Sequence, residues 1–197
     1  MDDFTLQVFS SEVHTQALWA VTAHEALESS VRPRTAQEVL EGSVGANAKT
    51  GDPFLWLSLL LNCAANVSKL LWGVNEARAA ERGRLREHFQ VAEDSPVKAR
   101  TLRNHFEHFD ERITDWARPR PDGPRRFFAD QLIGGPAGPR TIAPMLFTGG
   151  ASPTDAFRYY DRGGFVIFRG ERFEITPIIA ELRRLLTFPV YRPTRHL

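Results

Sequence analysis

Between Pro53 and Trp72 the chain reads PFLWLSLLLNCAANVSKLLW, twenty residues carrying one charge. A segment this apolar ends up either in hydrocarbon or in the centre of a folded core, and about 20 such residues suffice to cross a bilayer. Ser58, Asn62, Asn66 and Lys69 weigh against a membrane, because they recur at helical intervals and form one polar stripe. Lipid penalises such a stripe, whereas a bundle helix accommodates it. The run therefore predicts a helix buried on nearly every side, opened by Asp52 as N-cap and Pro53 at the first helical position. The stripe serves internal hydrogen bonding or faces a functional site.

The rest of the chain is compatible with such a core. Its 197 residues suit one domain, or a domain with an appendage. A net charge of +1 provides no global field toward nucleic acid, so any such binding needs a local patch. Cys63 is the only cysteine, which excludes an internal disulfide and a cysteine-based zinc site. It lies in the apolar run, as a buried small residue. The opening MDDFTLQVFSSEVH lacks the basic start and apolar stretch of a secretory signal, so the expected location is cytoplasmic.

Hydrophobic periodicity predicts a first helix over about 5–29, with Leu6, Phe9, Val13, Leu18, Val21 and Leu27 as its apolar set. The apolar run is the second helix. A charged third follows over about 76–89, weakened in its middle by Gly83. Ser95-Pro96 repeats the cap-plus-proline signal and opens a fourth, ending near Ala117. On that helix Leu102, Phe106, Phe109, Ile113 and Trp116 fall within about 40° of one direction. Asn104, Glu107, His108 and Glu111 lie opposite, with Arg103 nearer the edge.

From Arg118 to Asp155 seven prolines and many glycines predict loop. Three short strands over about 157–175 then form an antiparallel meander, and Thr176-Pro177 opens a terminal helix. The expected fold class is mainly α: a four-helix bundle, a Pro/Gly-rich excursion, a small antiparallel β-meander and a terminal helix. The domain boundary is expected after residue 117, with 118–197 packed on the bundle.

The run Arg103-Asn104-His105-Phe106-Glu107-His108 carries the chemistry. Arginine is a permanent cation with a planar donor fork, and histidine exchanges a proton near neutral pH. Together they are the minimum kit for cutting RNA without a metal. The 2′-hydroxyl attacks the adjacent phosphorus, leaving a 2′,3′-cyclic phosphate and a free 5′-hydroxyl. An imidazole near its ordinary pKa of about 6.5 moves the proton, typically worth about 10²–10⁴-fold in rate. The guanidinium stabilises charge on the non-bridging oxygens. Asn104, four positions before His108, can orient it on a helix.

This arginine, the polar residue after it and the histidine after four intervening positions resemble the R-x4-6-H motif of the HEPN superfamily, helical domains many of which are ribonucleases. The resemblance covers at most about residues 5–117. It implies a metal-independent endoribonuclease with Arg103, His108 and Asn104 as catalytic residues, and a homodimer in which two motifs face each other. It further implies a role as a toxin or in antiviral defence, with an antitoxin or defence-system partner. One departure is informative. Where such proteins pair with a nucleotidyltransferase antitoxin, a tyrosine stands two residues after the histidine; here the position is Asp110. Silencing by that route is not expected.

Other residues join the expected RNA site as binding groups: His105 within the motif, Lys69 on the apolar helix, and Arg118 and Arg120 beyond the fourth helix. The segment 118–126 holds four arginines beside Phe127 and Phe128, and either tracks a phosphate backbone or is a stiff solvated loop. Arg103 has its own bland alternative, an ion pair with Glu107 that leaves His108 solvated. No cofactor and no metal are expected. A mononuclear metal would have to recruit His14 or His24, and no Glu-x-x-His occurs to build a di-metal bundle. The competing functional class is a non-catalytic helical module that binds a nucleotide or a protein.

Overall fold

The structure, a computed structural model, describes residues 1–31, 53–73, 75–99, 109–118, 132–134, 140–141, 158–161, 163–169 and 171–193. It is mainly helical, with a small sheet and a terminal helix. The chain forms two compact units, Met1–Arg100 with Pro177–Leu197, and Thr101–Thr176. The terminal helix thus joins the first unit and residues 101–117 join the second, a partition different from a single cut after 117.

Helix α1 spans Asp3–Val31 and is capped by Asp2, whose Oδ1 accepts from the Thr5 amide at 2.7 Å. Helix α2 spans Pro53–Trp72. It stops at Gly73, whose φ of +67° suits glycine and whose amide donates to Lys69 O at 2.8 Å. A side chain there would also run into Arg78.

The two helices pack antiparallel. Arg84 reaches Asp3 at the start of α1 (2.8 Å), and nearby Arg86 donates to the Leu71 carbonyl at the end of α2 (2.9 Å). Asn66 Nδ2 donates to Gln16 Oε1 at 3.1 Å and sets the register between them. The core they form includes Leu6, Val13, Leu27, Leu57, Leu60 and Leu71, together with the buried Cys63, whose thiol pKa burial pushes up.

Two expectations are corrected here. Leu18 belongs to the solvent side of α1, and Phe9 is only half-buried, beneath the Arg82 guanidinium at 4.0 Å. Nor is α2 buried all round: Leu55, Leu59, Asn62 and Asn66 are exposed. The helix is long and apolar enough to cross a membrane by length and composition, and 56% of its apolar window is buried in the protein.

The charged third helix is broken in two, α3 (Glu76–Glu81) and α4 (Gly83–His88). Asn75 caps α3 by accepting from the Arg78 amide, and Arg82, at φ −89° and ψ 2°, makes the corner. Arg86 donates to the Ala79 carbonyl at 2.9 Å, a carbonyl that also accepts the Arg82 amide at 3.2 Å. The fourth helix does not start at Pro96. Pro96–Lys98 is a single 3-10 turn, and Ala99 is extended at ψ 120°. Helix α5 spans Phe109–Ala117, with Trp116 buried and Ile113 half-buried on one side.

Glu93 gathers Lys98 Nζ (2.9 Å), Trp72 Nε1 (3.3 Å) and Arg86 Nε (3.1 Å), tying this segment to the end of α2. Hydrogen bonds from Lys98 and then Trp72 hold its carboxyl below the usual range.

Helix α6, Thr176–Leu185, buries Ile179, Leu182 and Leu185. Within the first unit Arg184 donates to Phe89 O (3.0 Å) and clamps Glu181, which accepts from Ser95 Oγ at 3.2 Å. The following tail is held by His88 against Pro189 O (2.9 Å) and by Ser10 Oγ, which accepts from the Tyr191 amide at 2.9 Å.

In the second unit β1 (Leu132–Gly134), β2 (Arg140–Thr141), β3 (Arg158–Asp161), β4 (Phe165–Phe168) and β5 (Glu171–Glu174) form a sheet of order β2-β1-β3-β4-β5. The meander β3-β4-β5 is antiparallel, and β1 adds to β3 in parallel. Strands β3 and β4 are buried on both faces, by Tyr159 and Ile167 on one and Tyr160 and Val166 on the other. Tyr159 donates to Asp161 Oδ2 at 2.8 Å, and burial raises its phenol pKa. The β3–β4 turn needs Gly164, at φ +85°, whose carbonyl accepts from the Ile175 amide at 2.9 Å.

Two outcomes follow from these contacts. A side chain on Gly164 would meet Thr176 and occupy the left-handed region, so Gly164→Ala should cost about 1–3 kcal/mol, read as a lower melting temperature. The Glu181 carboxyl is lowered from the ordinary value of 4.5, first by its bond from Arg184. A depressed carboxyl stabilises the fold above its unfolded pKa and loses that contribution as pH falls through its folded value. Acid titration of unfolding should therefore show an acid limb below pH 4.5 that is shallower in Glu181→Gln.

Candidate functional site

The expected site divides between residues whose placement is described and residues whose placement is not. Arg103, Asn104, His105, His108 and Arg120 lie outside the described residues. The chain leaves this motif directly into α5, where Asp110 and Glu111 are exposed and Trp116 is buried. That agrees with the amphipathic pattern read over this stretch, with acids opposite the apolar set. Thr114 Oγ1 returns to Asp110 O at 2.9 Å. The Arg112 Nε is buried without a hydrogen-bond partner, on a helix whose other cation, Arg118, is exposed at its end. Arg118 pairs with Asp115 at 3.4 Å, so it meets a phosphate only by exchanging a weak surface ion pair.

Lys69 lies in the last turn of α2, half-buried and engaged in an interaction of its own. The polar stripe to which it belongs forms a surface rim. Ser58 Oγ donates to Phe54 O at 2.7 Å, the ordinary internal use of a helical serine. Asn66 continues into a relay: its Nδ2 donates to Gln16 Oε1, and Gln16 Nε2 donates to Glu12 Oε1 at 2.7 Å. Ser58 and Asn66 thus serve internal hydrogen bonding, and Asn62 and Asn66 are exposed. Lys69 and Arg118 belong to separate units, and each is described within its own.

The two histidines of α1 do not form a metal centre with each other, and the motif histidines that either would join lie outside the described residues. His14 and His24 are ten residues apart, about 15 Å along a helix, too far to share an ion. His14 packs against Phe89 at 5.7 Å between ring centres, and its Nε2 is buried without a partner. His24 sits 4.0 Å from Glu28, beside Glu25, which pairs with Arg183 at 3.6 Å. Among the described residues no three His, Cys, Asp or Glu side chains converge as a metal cluster.

Reading by composition missed the outer faces of α1 and α2, where large apolar side chains stand in solvent among hydroxyls and amides. The signal was available: Leu18 falls on the side of the α1 wheel opposite Leu6 and Val13.

Burial lowers the His24 pKa from 6.5, more strongly than Glu28 raises it. The unfolded chain therefore takes up that proton first, and the His24 contribution to stability is lost as pH falls below 6.5. An NMR titration should place the His24 midpoint below that of exposed imidazoles. A midpoint at or above theirs overturns this assignment.

Compared with protein-family models, curated proteins and solved structures, the chain matches none of them.

Proposed function

We propose that the protein is a HEPN-like, metal-independent endoribonuclease acting as a homodimer. The observation that carries this reading is the run from Arg103 through His108, with Asn104 between them, leading into the amphipathic helix α5. The mainly helical character of the described chain supports it, since the family's domains are helical bundles. A four-helix bundle built on α1 and α2 is part of this proposal.

His108 takes the proton from the 2′-hydroxyl as its oxygen attacks phosphorus. Arg103 holds the two non-bridging oxygens as negative charge develops there, and Asn104 orients the imidazole. The bond to the 5′-oxygen breaks, and that oxygen receives a proton from the second motif of the dimer. The products are a 2′,3′-cyclic phosphate and a 5′-hydroxyl, with no water consumed. His105, Lys69, Arg118 and Arg120 serve as contacts to the RNA backbone. The biological setting is a cytoplasmic toxin or defence component.

A second reading, the non-catalytic binding module, is favoured by one specific observation: the exposed apolar side chains of α1 and α2. Under it the motif contributes polar surface and no chemistry.

Incubation of a mixed RNA pool with the purified protein in EDTA separates the two. The nuclease should release cyclic-phosphate ends, and His108→Ala or Arg103→Ala should lower the rate by at least about 100-fold. Activity abolished by the chelator overturns the metal-independent mechanism in favour of a metal site, and intact RNA from a folded sample across a broad panel of transcripts sinks the nuclease reading in favour of the module.

A further inference from the structure

On α1 the residues Phe4, Val8, Ser11, Thr15, Leu18 and Thr22 lie within about 60° of one direction at about 100° per residue, opposite the buried Leu6, Val13 and Ala20. The stripe extends about 27 Å and holds no charged residue. Its large members stand in solvent: Phe4 is 74% exposed, Val8 48% and Leu18 54%, flanked by Trp19 at 52%. An ordinary outward helix face carries charges. Among the described residues this one reads as a packing face without its partner.

The chemistry of α1 narrows the partner. The helix contains no lysine or arginine, only Asp3, Glu12, Glu25 and Glu28 as charged groups. Nucleic acid and anionic lipid both select basic helices, so neither suits it. Spacing narrows it further. The six positions are separated by 4, 3, 4, 3 and 4 residues, the heptad seam of a coiled coil, and that series reads the same in both directions.

A second α1 laid antiparallel across a two-fold axis therefore meets the first in register. Phe4 comes opposite Thr22 of the second copy, Val8 opposite Leu18, and Ser11 opposite Thr15. The end layers set a larger side chain against a smaller one, and the small hydroxyl residues at the centre let the backbones approach. Thr15 Oγ1 is already bonded to Ser11 O at 3.1 Å, so its burial orphans no donor. A two-fold contact sets a patch against itself, and the absence of charge along this seam removes self-repulsion.

We infer that the outer face of α1 is a homodimer interface, formed by antiparallel pairing of two copies of this chain about the Ser11–Thr15 midpoint. One helix seam of this length removes on the order of 500 Å² per partner, the size of a transient contact. The dimer is accordingly weak and depends on concentration. The inference stands on α1 alone; the homodimer of the nuclease reading pairs the motif faces, a contact separate from this one.

Sedimentation velocity of the full chain, up to about 100 µM, should show a reversible monomer–dimer equilibrium. Val8→Lys and Leu18→Glu change exposed residues, so each variant should keep the wild-type circular dichroism while its self-association weakens at least about 30-fold. Mixing the two should restore a heterodimer, because the register sets position 8 against position 18. In a cysteine pair, Val8→Cys mixed with Leu18→Cys should form an intermolecular disulfide under mild oxidation, whereas Val8→Cys alone should not. A wild type that stays monomeric overturns the proposal and assigns the face to a different protein. A dimer that persists unchanged in Leu18→Glu, or a mixture that fails to recover, overturns the interface or its register. RNA cleavage measured on the same variants reports separately on the nuclease reading.

Discussion

The antiparallel contact of α1 with α2 is what the first unit is built around. Each helix contributes a stripe of leucines, valines and alanines, and Leu27, Leu57, Leu60 and Leu71 are almost wholly removed from water. Apolar burial of this kind is favourable but non-directional, so it does not choose one alignment among several. The Glu12–Gln16–Asn66 relay adds direction, because a slip along the seam takes from the buried Gln16 amide its Asn66 donor. Charged groups at one end complete the specification, with Arg84 on the first residues of α1 and Arg86 on the last carbonyls of α2.

The smaller pieces are arranged to satisfy what the long pair leaves open. Arg86 takes carbonyls from two elements and an ion pair from Glu93, and Glu93 in turn receives Trp72 and Lys98. Arg184 does the same for Phe89 on behalf of α6, and Ser10 does so for the tail at Tyr191. Long polar side chains thus serve mostly as caps and clasps, which explains why so charged a stretch as 76–98 packs tightly around Leu85, Phe89 and Val97.

Much of the architecture was legible in the chain. Pro53 opens α2 and Gly73 closes it where the sequence placed them, and the meander over 158–174 follows from short runs with aromatic or apolar residues separated by glycine turns. The third helix was legible up to its corner, since Gly83 announced weakness without saying where the backbone would turn. The failure at Pro96 has a clear cause. Ser95-Pro96 is a cap signal, but its serine hydroxyl is drawn to Glu181 on α6, and the turn closes after Lys98. A partner 86 residues away is invisible to a local pattern. Of the candidate site, the described geometry reaches Lys69, Arg118 and the helix that follows the motif; the chemistry of Arg103 and His108 rests on their spacing.

By itself the sequence determined that the chain is mainly helical, that Pro53–Trp72 is a helix, and that a short meander and a terminal helix follow. These are properties of neighbouring residues, encoded by propensity, period and cap. Tertiary structure decided which faces are covered. It placed Leu18, Leu55 and Leu59 outside and Ser10 and Gln16 inside, and turned an apolar-all-round helix into a one-sided one. Burial depends on which other element lies against a face, and no period along a single helix records that.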